Sequence, residues 1–161
     1  FKINKKSKIR ILASGLTLNF AIEAEAELAE FGINADIWSI TSFNELYRGG
    51  IEKERAKRLE INSEDSYVEQ CFQSPLPTIA VSEYQRAYPN QIRQWINGEF
   101  IVLGTDGFGR SDTRDALRNY FEINKEHIVY NSLLILNMKT KANQYAKKMK
   151  MKIELVAPWE K

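Results

Sequence analysis

The stretch "IRILASGLTLNFAIEAEAELAEFGINADIWSI", Ile9 to Ile40, decides the fold. Its first five residues, Ile9 to Ala13, are an apolar run ended by Ser14 and Gly15, the pattern of a short buried strand. After them Leu18, Ala21, Ala24, Leu28 and Phe31 recur on one helical face, while Glu23, Glu27 and Glu30 fall largely off it. Gly32 supplies a C-terminal stop, and "NADIWSI" offers a second strand. Strand, helix, strand in this order is a βαβ unit, whose crossover is right-handed.

Downstream, "TSFNELYRGGIEKERAKRLE" (41–60) reads as a polar, helix-rich connection split by Gly49 and Gly50. "DSYVEQCFQ" (65–73) suits a short helix with Val68 and Phe72 on one side and Cys71 beside them, ended by Pro75. "PTIAVS" (77–82) is a third strand, "QIRQWI" (91–96) a helix after Pro89, and "EFIVLG" (99–104) a fourth strand. A glycine loop follows, then a helix in "DTRDALRNYF", then a longer one from about Asn124 to Met138. Residues 1–8 lead into the domain, and 139–161 read as a basic C-terminal tail. This alternation predicts one three-layer α/β/α domain with a mostly parallel sheet, whose ligands favour the loops at the carboxyl ends of the strands. No repeat, low-complexity block or Pro-rich linker interrupts it.

At 161 residues, 43% hydrophobic and 27% charged, the chain can bury one sizeable core and is expected to be a single globular domain. Its 23 Lys and Arg against 21 Asp and Glu leave a charge of +2, too even to require a polyanion, so nucleic acid is not expected as partner. The charge is uneven, however. Lys2, Lys5, Lys6, Lys8 and Arg10 open the chain without an acid, and Lys139 to Lys152 hold six lysines without one. Both ends are either solvated termini or a patch for an acidic partner, and neither has the interleaved aromatics of single-strand binders. The lone Cys71 cannot form an internal disulfide, which suggests a reducing, cytoplasmic setting. The apolar run "IVYNSLLIL" is broken by Asn131 and Ser132 and is too short for a membrane span. No signal peptide is expected.

Chemistry-bearing residues are sparse. The single His127 has no acid or nucleophile near it in sequence and suits a structural or surface role. Cys71 among apolar positions suggests a buried structural thiol, and one His with one Cys makes no metal-ligand pattern. What stands out is "LGTDGFGRSDTR", Leu103 to Arg114. No G-K-[ST] follows its glycines, and Asp112 stands three residues after Gly109, so neither common phosphate motif fits. Two readings of the residues stay open. The loop can run into a helix N-terminus that attracts an anion beside Arg110, or it is a strand-to-helix turn capped by Ser111 or Asp112, with Asp115 in the helix's first turn and Arg110 and Asp106 in local ion pairs.

The block "GTDGFGRSDTRDALRNYFEI", with "DIWSITSFNELYRGG" and "ILASGLTLNFAIEAEAELAEFGI", resembles the C-terminal domain of the homodimeric pyruvate dehydrogenase component of bacteria, a thiamin-diphosphate-dependent, transketolase-like family. The similarity runs from about Lys8 to His127 and continues weakly to "VAPWEK" near the family's terminus. It departs at "AKRLEI" and "RNYFEI", where the family has a Trp-Asn-Met-Leu-His-Pro-like stretch and histidines respectively. The resemblance implies a transketolase C-terminal fold, an α/β sandwich with a mainly parallel sheet and one antiparallel strand. It implies a full-length enzyme that decarboxylates pyruvate and reductively acetylates a lipoyl group on the dihydrolipoyl acetyltransferase core. Thiamin diphosphate and magnesium are expected in other domains. The family's cofactor motif begins Gly-Asp-Gly and ends Asn-Asn, whereas this chain has Thr105-Asp106-Gly107 and no Asn-Asn pair. No catalytic, cofactor or metal residue is expected here. Gly104, Asp106, Gly107, Gly109, Arg110, Ser111 and Asp112 are then an interface loop, with anion binding secondary, and Arg110 reaches a neighbouring domain or the second subunit. The alternatives are a related 2-oxo acid dehydrogenase, a free-standing flavodoxin-like module for a small phosphorylated ligand, and a basic docking module.

Overall fold

The computed structural model describes residues 6–160. The opening stretch forms β1 (Ile9–Ala13), α1 (Thr17–Glu30) and β2 (Ala35–Ser39). The chain continues through α2 (Phe43–Arg58), α3 (Tyr67–Cys71), β3 (Thr78–Val81), α4 (Ala87–Asn90), a 3-10 turn at Arg93–Trp95 and β4 (Phe100–Leu103). It ends with α5 (Arg114–Tyr120), α6 (Lys125–Ile135), α7 (Lys139–Lys148) and a 3-10 turn at Pro158–Glu160. The strands make one sheet in the order β2-β1-β3-β4. Every ladder is parallel, with Ile11 level with Ile37 and Ile79, and Ile79 level with Ile101.

Side chains alternate across a strand, and here the alternation builds two cores. Ile9, Ile11 and Ala13 pack with Ala21, Ala24 and Leu28 of α1 and with Ile128 and Leu133 of α6. On the opposite face Leu12 joins Val68, Phe72, Ile92 and Val102. Burying a side chain such as Ile11, Leu28 or Leu133 completely contributes roughly 1.5–3 kcal/mol, and all three are fully buried. Arg10 points into the second layer. Its guanidinium donates to Ser74 O at 2.9 Å and Thr78 Oγ1 at 3.3 Å and lies over the Phe72 ring. Arg10 is therefore interior rather than part of a basic surface, while Lys2 and Lys5 lie outside the described residues.

The three-layer parallel architecture is as expected, and four details differ. The antiparallel strand implied by the resemblance is not among the described residues. Glu154 to Pro158 runs beside Val102, Leu103 and Gly104 without forming a strand. Leu155 there is wholly exposed and Pro158 has no N–H to donate, so at these two positions the segment lacks a buried side chain and a ladder donor. Gly49 and Gly50 do not split α2, which runs unbroken from a Ser42 cap. Gly50 is instead a contact point, because a Cβ there would sit 2.4 Å from the Trp95 ring. The helix read over residues 91–96 is only the 3-10 turn at Arg93–Trp95, and the α-helical turn comes before it as α4, where Pro89 lies within the first turn and its missing N–H is harmless. The basic C-terminal stretch begins as α7, with Ala142, Tyr145 and Ala146 at helical spacing buried beneath the lysines.

Candidate functional site

Parallel strands bring their carboxyl ends to one edge, and β1 and β3 diverge there to neighbours on opposite sides. Ser14 ends β1 and Ser82 ends β3, and Ser14 Oγ donates to Ser82 Oγ at 3.0 Å. The Tyr84 N–H also donates to Ser82 Oγ, at 3.0 Å, and Thr17 Oγ1 donates to Ser14 O at 2.8 Å. These bonds fix the β1–α1 and β3–α4 connections as one floor. Above it is a cleft of about 310 Å³ lined by Ser14, Thr41, Ser42, Tyr84 and Tyr88. A second cleft of about 420 Å³ shares Ile40, Thr41 and Ser42 with it and extends to Trp38, Tyr67 and Cys71. Cys71 is thus half-buried on a cleft wall rather than enclosed in the core, at the last position of α3, where it packs on the margin of the cluster that holds Val68 and Phe72.

The glycine loop leaves β4 at this same edge and is held at its base. The Thr105 N–H donates to Tyr84 O at 3.0 Å, and Thr105 Oγ1 donates to Glu83 O at 2.9 Å. Gly104 lies so close to the 83–88 connection that a Cβ would come within 2.8 Å of Tyr84 O. Asp106 Oδ1 accepts from the Arg86 N–H at 3.1 Å, with the Arg86 guanidinium 3.9 Å from Oδ2. Gly107 then turns the chain at φ +86°, a left-handed conformation that favours glycine. Beyond it Phe108 is 94% exposed.

The returning limb is also fastened. The Arg110 guanidinium lies over the Tyr120 ring, 4.3 Å from its centroid, and the Tyr120 hydroxyl donates to Pro158 O. Thr113, one residue beyond the expected caps Ser111 and Asp112, caps α5 by accepting from the Ala116 N–H at 3.3 Å. Asp112 accepts from the Thr113 N–H at 2.7 Å, and Ser111 is exposed. The glycines therefore stop short of the helix N-terminus, and the first-turn donor is already engaged by a side chain. Asp115 lies in the first turn as expected and pairs with Arg118, which also reaches Glu83. Arg118 so ties α5 to the loop that precedes α4.

His127 lies apart from this edge, in the first turn of α6. It is 4% exposed, with Nδ1 2.6 Å from Asn124 Oδ1, and burial pushes its pKa down to about 4. The structure thus gives it a buried structural position. Among the described residues no three His, Cys, Asp or Glu side chains are grouped so as to hold a metal ion. The acid of the Thr-Asp-Gly stretch, Asp106, faces Arg86 rather than an open ligand position. The residues present therefore do not fit a magnesium-diphosphate site. Sequence reasoning identified the loop but missed its exposed aromatic, Phe108, and the Tyr84–Tyr88 pair beside it, whose rings meet edge-on at 6.0 Å. A phenylalanine between two glycines in a polar loop was the available signal. Among the described residues no helix is long and apolar enough to cross a membrane.

A parallel sheet with helices on both faces, and a tied loop at its carboxyl edge, defines an α/β domain of the transketolase C-terminal class. The chain belongs to the transketolase-like TK C-terminal domain family, whose family model matches residues 1–124. It is 46% identical over 130 residues to the pyruvate dehydrogenase E1 component of Pseudomonas aeruginosa, covering 78% of this chain and 15% of that protein. It is 42% identical over 147 residues to the pyruvate dehydrogenase E1 component of Buchnera aphidicola, covering 89% of this chain and 16% of that protein. A transketolase structure from Campylobacter jejuni shares the fold at TM-score 0.55 and 21% identity, over 82% of this chain and 17% of that one. The chain thus spans about 15% of the length of the Pseudomonas relative.

Proposed function

We propose that the chain is the C-terminal domain of a pyruvate dehydrogenase E1 component, the subunit that releases carbon dioxide from pyruvate and passes the remaining two-carbon unit to a lipoyl group on the acetyltransferase core. The observation that carries this reading is the 46% identity over 130 residues to an E1 component. Thiamin diphosphate and magnesium belong in this reading to other domains of the longer polypeptide. The domain's own part is positional. Its carboxyl edge packs on the remaining domains and the second subunit, and Gly104, Asp106, Gly107, Gly109, Arg110, Ser111 and Asp112 shape that contact. In support, the edge exposes Leu16, Tyr84, Tyr88 and Phe108 together, and grouped exposed apolar side chains mark interaction surfaces.

The full-length protein should release carbon dioxide from pyruvate, and acetylate a lipoyl domain, only with thiamin diphosphate and magnesium present. The isolated chain should give no saturable heat when titrated with the same cofactors. Micromolar binding by the isolated chain, or a full-length protein inert toward pyruvate, overturns the reading.

A further inference from the structure

Resting on the docking reading above, we infer that Phe108 anchors the interface, its ring seated in an apolar pocket on the part of the same polypeptide that precedes this domain. The side chain is 94% exposed, the most exposed aromatic of the described residues. Nothing among the described residues covers that ring to offset its unfavourable hydration.

The loop's construction separates this residue from an ordinary surface phenylalanine. One limb is fastened through Thr105 to the Tyr84 and Glu83 carbonyls and through Asp106 to the Arg86 N–H. The other limb is fastened by Arg110 on the Tyr120 ring, and through Tyr120 to Pro158. Phe108 is therefore held out between two fixed limbs. A side chain presented in this way loses little conformational freedom when it is covered, and that preorganisation favours binding. Tyr84 and Tyr88 stand beside the base of the loop as partly exposed aromatics, a composition typical of an interface around its anchor. The reassignment from Arg110 to Phe108 follows from geometry, because the Arg110 guanidinium is stacked within the domain.

Two observations favour the same polypeptide as the occupant. The chain covers only 15% of its Pseudomonas relative, so most of such a protein is tethered to this domain at high effective concentration. The loop tip is also an apolar surface, whereas the exposed lysines are concentrated on α7 and the stretch after it, where a separate acidic partner would be steered.

The test places p-benzoylphenylalanine at position 108 of the full-length protein and maps its photoproducts by mass spectrometry. The expected product migrates as a single chain on a denaturing gel and joins residue 108 to sequence N-terminal of this domain. Phe108→Ala should speed tryptic cleavage between this domain and the preceding one by roughly tenfold, and Phe108→Leu should restore part of the protection. A product migrating as a cross-linked dimer assigns the pocket to a second copy, and one joined to the acetyltransferase assigns it to that partner. Either result overturns the inference. So does the absence of product with unchanged proteolysis. A second probe at Tyr84 separates the two levels. If the Tyr84 probe reaches the preceding domains and the 108 probe does not, the docking face stands and the anchor assignment falls. If neither reaches them, the docking reading falls with it.

Discussion

Adjacent glycines in α2 have opposite meanings at the residue scale. Gly49 faces open space, whereas a Cβ on Gly50 would enter the Trp95 ring. Gly49→Ala should stabilise the domain by up to about 1 kcal/mol through helix propensity. Gly50→Ala should lose about 1–3 kcal/mol through overpacking. Thermal melts of the two variants should therefore shift in opposite directions. His127 makes a second prediction. Its folded pKa of about 4 lies below the unfolded value of about 6.5. The unfolded chain thus takes up the proton first, so the histidine's contribution is complete above about pH 6.5 and is lost as the pH falls toward 4, by up to about 3 kcal/mol in all. His127→Gln should flatten the fall in melting temperature between pH 6.5 and 5. An unchanged slope would show that the ring titrates normally in the folded domain. Neither the glycine contrast nor this shift is legible in the sequence, since both depend on neighbours distant along the chain.

Elements are held by contacts that cross between them, and α7 shows this most clearly. Tyr145 donates to Glu27 Oε2 at 2.5 Å, and Lys125 meets Glu27 Oε1 at 2.7 Å, so one carboxylate on α1 ties together α6 and α7. Tyr145→Phe keeps the buried ring and removes only the bond, and should cost about 1.5 kcal/mol in chemical denaturation. Thr113→Ala should cost about 1 kcal/mol as the α5 cap is lost. Its effect should be local, seen as faster amide exchange at Leu117 and Arg118. The four strands and α1 were legible because apolar runs and a helical stripe bury themselves predictably. Helix α7 was not, because its four lysines mask a short stripe whose two alanines are too small to register as apolar. Pro89 misplaced α4 in the same way, since a proline marks the first turn of a helix as readily as the residue before it. The loop at the candidate site was visible from its glycines, but which of its side chains faced outward depended on Tyr120, ten residues on from Arg110.

For the whole molecule, the sheet order sets both where the domain can meet neighbours and how it comes to exist. The carboxyl edge collects the ends of all four strands, so a contact there touches every crossover at once. Arg110→Ala in the isolated domain should then change the melting temperature little, since an exposed cation–π pair contributes about 0.5–1 kcal/mol. A large loss would make the loop a structural turn of this domain alone. The central position of β1 has a further consequence in time. Ile11 aligns with Ile79, a partner 68 residues later in the chain (79 − 11 = 68). During synthesis at roughly 5–20 residues per second, β1 therefore waits on the order of several seconds for its second neighbour. A chain ended after Arg58 should be unfolded by circular dichroism, because Ile9, Ile11 and Leu12 lack half their cover. In the cell that interval is a window in which a nascent, apolar and still unpaired strand is open to capture by a chaperone.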